Sequence, residues 1–308
     1  MNILIMETCT KAENGIDAHL RNAIEIKKYL ENKNHLVYLE FIDTLKYFDK
    51  KNIDCIIVSY ASFYADFKNM KRIIEENKQA KLFWISNEYN LMPNGSLYNI
   101  FKERNADIIA NFEKKSNDIK CFNNFYFLNL NLLLFDNDKR NINKKYDCIY
   151  YGTFREDRKI YFEKYLQKNV FLSTSEKNIK KFIDCNCNPK FIKKLSWEHK
   201  KETLNNFKYS LYIEDVHIHD NFNNLANRFY EALKCNTVLF FDINCKNTIN
   251  KSKIEFDDYF YVRDYDELTN KIKNDNYEIS LKKQLKWKNE AETQKKEMLE
   301  RFEEIINK

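Results

Sequence analysis

Glycine is almost missing from this chain: three of 308 residues, Gly15, Gly95 and Gly152. Glycine is the residue that lets a backbone turn sharply or approach a ligand closely, so few points along the sequence are open to such a role. Other absences exclude whole classes. No apolar run approaches the roughly 20 residues of a membrane span, which leaves a chain that is at most peripheral to a bilayer. No signal peptide precedes the first strand-like segment, so the expected setting is the cytoplasm of a bacterium or of a phage-infected cell. Cys9, Cys55, Cys121, Cys148, Cys185, Cys187, Cys235 and Cys245 then read as reduced core residues, several of them inside apolar runs such as Cys55 to Val58. Cys185 and Cys187 lack a second pair at zinc-site spacing, which argues against a structural metal. The Asp-x-Asp motif Asp136-Asn137-Asp138 falls in a polar stretch, which argues against a metal role for it. No repeat of solenoid period is present.

What remains is the composition of a folded protein, 44% hydrophobic and 15% aromatic, long enough for two domains. Net charge is +6, read as spread along the chain rather than packed into a basic tail. Such a balance permits an anionic partner without requiring one. A monomer is expected.

The first half alternates strand and helix patterns. Strands are expected at Asn2 to Met6, Leu36 to Glu40, Cys55 to Tyr60, Lys81 to Ser86, Asp107 to Asn111 and Asn124 to Leu130. Helical spacing occupies 16–31, 67–77 and 97–104 between them. Strands separated by crossovers of that length build a parallel sheet covered by helices. After the polar stretch Asp136 to Lys145 the alternation restarts, with strands at Tyr146 to Tyr151, Val170 to Thr174, Tyr209 to Glu214 and Tyr259 to Val262, and helices at 160–167, 177–184 and from Tyr265. The expected organisation is a Rossmann-like domain over 1–140, a second over 146–280, and a charged C-terminal helix over 281–308.

The segment Asn227 to Asp242, NRFYEALKCNTVLFFD, carries the most specific signal. It reads as a short helix, a tight turn and a buried strand. Arg228 and Glu231 lie three residues apart, so they share one helix face. A planar guanidinium suits phosphate oxygens and a carboxylate suits ribose hydroxyls; a plain intrahelical ion pair would need the same two residues. The turn holds Asn236, and asparagine tolerates a left-handed backbone better than other non-glycine residues.

Arg-x-x-Glu-Ala-Leu, the Cys-Asn-Thr turn and a hydrophobic strand ending in Asp together resemble the donor-binding segment of GT-B glycosyltransferases. The resemblance implies a GT-B fold, α/β, with two Rossmann-like domains of mainly parallel strands facing a central cleft and a C-terminal helix crossing back. It implies that Glu231 binds ribose and that Arg228, with Asn227 beside it, belongs to the diphosphate site. Such enzymes need no cofactor and no bound metal; their donor is a nucleotide sugar, here most simply a UDP-sugar.

The glycines fit the same frame. Gly152 follows the first strand of the second domain, and Gly15 lies in the loop after the first strand of the first, where such domains approach phosphate or sugar. Gly152-Thr-Phe-Arg155-Glu-Asp-Arg158 resembles the basic loop that phage DNA glucosyltransferases set opposite their Arg-x-x-Glu helix. Arg155 and Arg158 are therefore candidates for the diphosphate; a surface ion-pair network with Glu156 and Asp157 is the alternative.

Transfer to a hydroxyl also needs a base. Asp17 and His19, behind the Gly15 loop, and Glu88, after the strand ending at Ser86, are the candidates. The loop Glu214 to Asp220 sits where GT-B enzymes touch the donor sugar, which nominates Glu214, His217 and His219 for sugar contact; an ordinary polar loop and a metal site are the alternatives. Trp197 could flank the nucleobase. The expected activity is hexosyl or pentosyl transfer from a nucleotide sugar to an acceptor hydroxyl, the acceptor being a hydroxylated base in double-stranded phage DNA. A cell-envelope glycan or lipid-linked acceptor is the nearest alternative, and a non-catalytic nucleotide- or nucleic-acid-binding protein is the other.

Overall fold

A computed structural model of the chain describes residues 1–7, 18–59, 67–86, 95–113, 122–134, 144–195, 204–214, 224–252 and 254–308, with the backbone alone for 18–20 and 95–97. Two compact units emerge, one of Met1–Leu134 with Gln294–Lys308, the other of Phe135–Thr293.

Unit 1 runs β1 (Asn2–Glu7), α1 (Ala18–Asn32), β2 (Leu36–Phe41), β3 (Cys55–Ser59), α2 (Lys68–Glu76), β4 (Lys81–Ser86), α3 (Gly95–Glu103), β5 (Asp107–Ala110) and β6 (Phe125–Phe127). Its six strands are all parallel, in the order β2-β1-β3-β4-β5-β6. Every residue of β3 is buried, as expected for a strand covered on both faces. Met70, Ile73 and Ile74 form the buried stripe of α2, at the 3–4 residue spacing of one helix face. Trp84 of β4 meets Phe101 of α3 edge-on at 5.2 Å.

Unit 2 follows with β7 (Tyr146–Tyr151), α4 (Lys159–Tyr165), β8 (Val170–Ser173), α5 (Glu176–Ile183), β9 (Lys190–Ile192), β10 (Phe207–Tyr212), α6 (Asn227–Lys234), β11 (Val238–Asp242), α7 (Lys246–Lys251), β12 (Tyr261–Val262), α8 (Tyr265–Asn274) and the first part of α9 (Tyr277–Asn307), whose residues from Gln294 onward belong to unit 1. The strand order is β12-β11-β10-β7-β8-β9, again parallel throughout. The chain steps outward from β7 to β9, then returns to the other side of β7 with β10. A topological switch point therefore lies between β7 and β10, where ligands bind outside the carboxyl ends of an open parallel sheet.

Details differ from the pattern-based expectation. β9 has no counterpart in the expected pattern, since three residues are too few to show alternation. Only Tyr261–Val262 of the strand expected at 259–262 is extended. Asp257 accepts the Tyr259 N–H and winds the preceding residues into a 3₁₀ turn. Among the described residues no helix is long and apolar enough to cross a membrane. The six described cysteines are buried and unbridged.

The shortage of glycine is met by asparagine. Every described non-glycine residue with positive φ is Asn: Asn34, Asn52, Asn105, Asn186 and Asn236. Four of these close helices in one way. After α6, for instance, the Asn236 N–H donates to Leu233 O and the Thr237 N–H to Ala232 O, and α1, α3 and α5 end with the same pair of bonds at Asn34, Asn105 and Asn186. This is the Schellman arrangement, which ordinarily takes glycine at the left-handed position.

Candidate functional site

The site is built at the switch point of unit 2. Tyr150, Tyr151 and Gly152 leave the carboxyl end of β7, and Ile213 and Glu214 leave that of β10. Gly152 has φ 157°, and a Cβ there would stand 3.3 Å from the Tyr150 hydroxyl, tighter than most such contacts. A side chain at this point would crowd the tyrosine on which an arginine rests. Phe154 then anchors the loop, packing on Phe162 at 5.6 Å and edge-on against Phe182 at 5.2 Å.

A 3₁₀ turn, Glu156–Arg158, leads into α4 and turns Arg158 inward. Arg158 is 4% exposed, donates to Tyr150 Oη at 3.1 Å and pairs with Glu214 Oε2 at 3.4 Å. Its partner is thus Glu214, across the switch point, rather than the adjacent Glu156 or Asp157. Arg155, one turn earlier, is exposed.

From the other side comes α6. The Ala226 N–H, at its start, donates to Tyr212 Oη at 2.9 Å, which ties the helix to the end of β10. Arg228 donates to the Ile213 carbonyl at 2.8 Å and pairs with Glu214 Oε1 at 3.5 Å, its guanidinium lying 5.6 Å from the Tyr150 ring centre. Burial is the largest single influence on Arg228 and works against its charge, but the Glu214 carboxylate together with Tyr150 and Tyr212 outweighs it and holds the guanidinium above its ordinary pKa. One buried carboxylate therefore has a guanidinium at each oxygen. Removal of both cations from water is tolerable only because Glu214 stands between them.

Glu231, one turn along α6, is 4% exposed and accepts from Tyr151 Oη at 3.0 Å. The same hydroxyl lies 3.3 Å from the Arg228 carbonyl. Burial, then the Glu231 charge, pushes the Tyr151 hydroxyl well above its ordinary pKa, so it stays a donor. Arg158, Arg228, Glu214 and Glu231 thus belong to one cluster, stitched by Tyr150, Tyr151 and Tyr212. Asn227 occupies the first position of α6.

Sequence reasoning passed over the three tyrosines. Their only local signal is position, directly before Gly152 and two residues before Glu214. Gly15, Asp17, Glu88, Trp197, His217 and His219 lie outside the described residues, and for His19 only the backbone, in α1, is described. The equivalent switch point of unit 1 falls between β1 and β3, whose last residues, Glu7 and Ser59, are both buried. Among the described residues no group of His, Cys, Asp and Glu could hold a metal ion. A groove of about 1040 Å³ lies at the opposite, amino edge of the unit 2 sheet, near Asp147, Lys208 and Asp275. Its Asp275 is already engaged by the Tyr209, Tyr259 and Ser280 hydroxyls, and it is remote from any switch point.

No family model matches the chain, and no curated protein matches it. Solved structures do. T4 phage β-glucosyltransferase in complex with its UDP-glucose substrate superposes with a TM-score of 0.73 at 20% identity over 100% of both chains. The same phage's enzyme in complex with UDP and Mn²⁺ gives 0.68 at 18% identity, and an α-glucosyltransferase in complex with UDP and a 13-mer DNA gives 0.67 at 14%, each again over 100% of both chains. At such identities the likeness fixes the fold. This is the GT-B fold of those enzymes, two Rossmann-like domains with six-stranded parallel sheets.

Proposed function

We propose that the chain is a glycosyltransferase that moves a sugar, most simply glucose, from a UDP-sugar to a hydroxyl on a modified base of double-stranded DNA. The observation that carries this reading is the convergence of Arg158 and Arg228 on Glu214 at the switch point, with Glu231 one helical turn away. Two fixed guanidiniums beside a glycine loop suit the charge that a departing nucleoside diphosphate develops. Arg228 uses only part of its five donors on Ile213 and Glu214, so its fork retains capacity for phosphate oxygens. Glu231, oriented by Tyr151, accepts the ribose hydroxyls. Arg155 closes the diphosphate from the loop, and Asn227, Glu214, His217, His219 and Trp197 are the remaining donor-side candidates.

In the reaction the acceptor oxygen bonds to the anomeric carbon while the bond from that carbon to the diphosphate oxygen breaks. The acceptor proton passes to a base, for which Asp17, Glu88 and His19 are proposed. The electron pair leaves with UDP, whose charge the arginines hold. No cofactor or metal takes part in this scheme. The structural neighbours bind UDP-glucose and modify DNA, which supports the choice of donor and acceptor.

Thermal stabilisation across a panel of nucleoside diphosphates and sugar nucleotides tests the donor site: UDP and a UDP-sugar should raise the melting temperature, and no shift with any of them refutes it. Incubation with UDP-glucose and duplex DNA containing hydroxymethylated bases should then yield glycosylated nucleosides. Product on a cell-envelope glycan instead of DNA would reassign the acceptor.

A further inference from the structure

The positive charge of this chain is not evenly spread. Residues 177–201 hold eight lysines against Asp184 and Glu198, a net +6. The whole chain, with 52 basic and 46 acidic residues, also carries +6, so everything outside this stretch is balanced.

Six of those lysines are among the described residues: Lys177, Lys180 and Lys181 on α5, Lys190 on β9, and Lys193 and Lys194 directly after it. All six are exposed. Ion pairs elsewhere on the surface are frequent, yet none of these six has a carboxylate partner among the described residues. Two lie against rings instead, Lys181 at 5.8 Å from Phe154 and Lys190 at 5.3 Å from Phe171. One lysine on an edge strand would suffice to discourage strand pairing; six uncompensated ones exceed that need.

Their placement is fixed by Ser173, the buried last residue of β8. Its carbonyl accepts the Gly152 N–H at 3.1 Å, its hydroxyl donates to Lys193 O at 3.1 Å, and the same hydroxyl accepts the Leu195 N–H at 2.8 Å. The glycine loop of the arginine site and the Lys193-Lys194 exit are thus fastened to one residue. Lys177, in the first turn of α5, rises from the same carboxyl edge. Phe154, beneath Lys181, belongs to the glycine loop itself.

We infer that this lysine face is the docking surface for the phosphate backbone of duplex DNA, which it holds beside the donor site. The inference rests on the proposed transfer to DNA for its choice of polyanion. Phosphate contacts from flexible lysines carry no sequence preference; they set affinity, position and salt dependence.

The test compares K177Q/K193Q/K194Q with a control, K46Q/K50Q/K51Q, which removes three exposed lysines of unit 1. Duplex DNA affinity is measured across a salt series, and UDP binding is measured in parallel by thermal shift. Each lost phosphate contact flattens the plot of log affinity against log salt by about 0.9, so the rim variant should lose about 2 to 3 from its slope and at least tenfold in affinity near 0.1 M salt. UDP binding and the control's slope should stay unchanged. An unchanged slope in the rim variant, equal losses in both variants, or binding to anionic phospholipid vesicles in preference to DNA would each overturn the inference. Failure of wild-type protein to bind UDP would instead strike the donor reading, and the separate readout keeps the two failures apart.

Discussion

Substitution of Glu214 by Gln keeps the side-chain volume and removes one charge. In the wild type that carboxylate, 1% exposed, stands 3.4 Å from Arg158 and 3.5 Å from Arg228, whose side chains are 5% and 13% exposed. E214Q leaves two buried guanidiniums facing each other without a counter-charge. Loss of one partner from a buried ion pair costs about 3–5 kcal/mol. For a domain of this size 1 kcal/mol moves Tm by about 2–4 °C, so the ligand-free variant should melt on the order of 10 °C lower. A bound diphosphate restores the missing negative charge. Millimolar UDP should therefore stabilise E214Q by more degrees than it stabilises the wild type, as a ligand that binds the folded state raises stability by mass action. Melting curves of both proteins, with and without UDP, decide the matter. A ligand-free Tm within about 2 °C of wild type would show that the cluster is not held by Glu214. A large loss that UDP does not reverse would show that the arginines do not receive the diphosphate.

Tyr151→Phe removes the hydrogen bond to the Glu231 carboxylate, of a kind worth about 1.5–3 kcal/mol. UDP affinity should fall about tenfold or more while inorganic pyrophosphate binding is retained, and equal losses on both would place Tyr151 outside the ribose contact. Asn236→Ala puts a β-carbon on a left-handed residue, costing about 1 kcal/mol or more, whereas Asn236→Gly should cost less even though it forfeits the 3.0 Å contact with Lys288. Equal thermal penalties for the two would contradict the helix-end account. Burial raises the thiols of Cys55 and Cys235 to about 12 from 9.0, and those of Cys148 and Cys245 rise as well. Folded-state values above the unfolded one mean that this stability is complete below pH 9 and is lost as pH rises from there toward 12. Each thiol contributes a decline of about 1.4 kcal/mol per pH unit. Half-buried Lys144, lowered from 10.5 to about 8 chiefly by desolvation, offsets one of the four between those values. A melting temperature that does not fall between about pH 9 and 10.5 would refute the balance.

Much of this was legible in local sequence because the governing forces are local. Helix and strand periods reflect which faces are buried, so β3, β4 and α2 follow from Cys55 to Val58, Lys81 to Ser86 and Met70, Ile73 and Ile74. Arg228 and Glu231 are neighbours by helical geometry alone, and Asn236 could be read as a left-handed turn from its chemistry. The charge stretch at 177–201 is equally a property of sequence, although its significance needed the sheet edge on which it stands.

Other features had no local signal. Nothing near Glu214 in the chain announces that it stands between Arg158, 56 residues earlier, and Arg228, which follows it. That meeting depends on β10 pairing with β7 rather than with β9, a choice made by the strand order of the whole sheet. The same order places Tyr150 under Arg228 and brings Tyr151 to Glu231 from a strand 80 residues away. The sequence by itself determined the two alternating halves, the glycine loop, the Arg-x-x-Glu face and asparagine as a stand-in for glycine, since each depends on residues within a few turns of one another. Only the tertiary structure decided which charges are buried together, because desolvation and ion pairing act between segments that meet in space and leave no period in the chain.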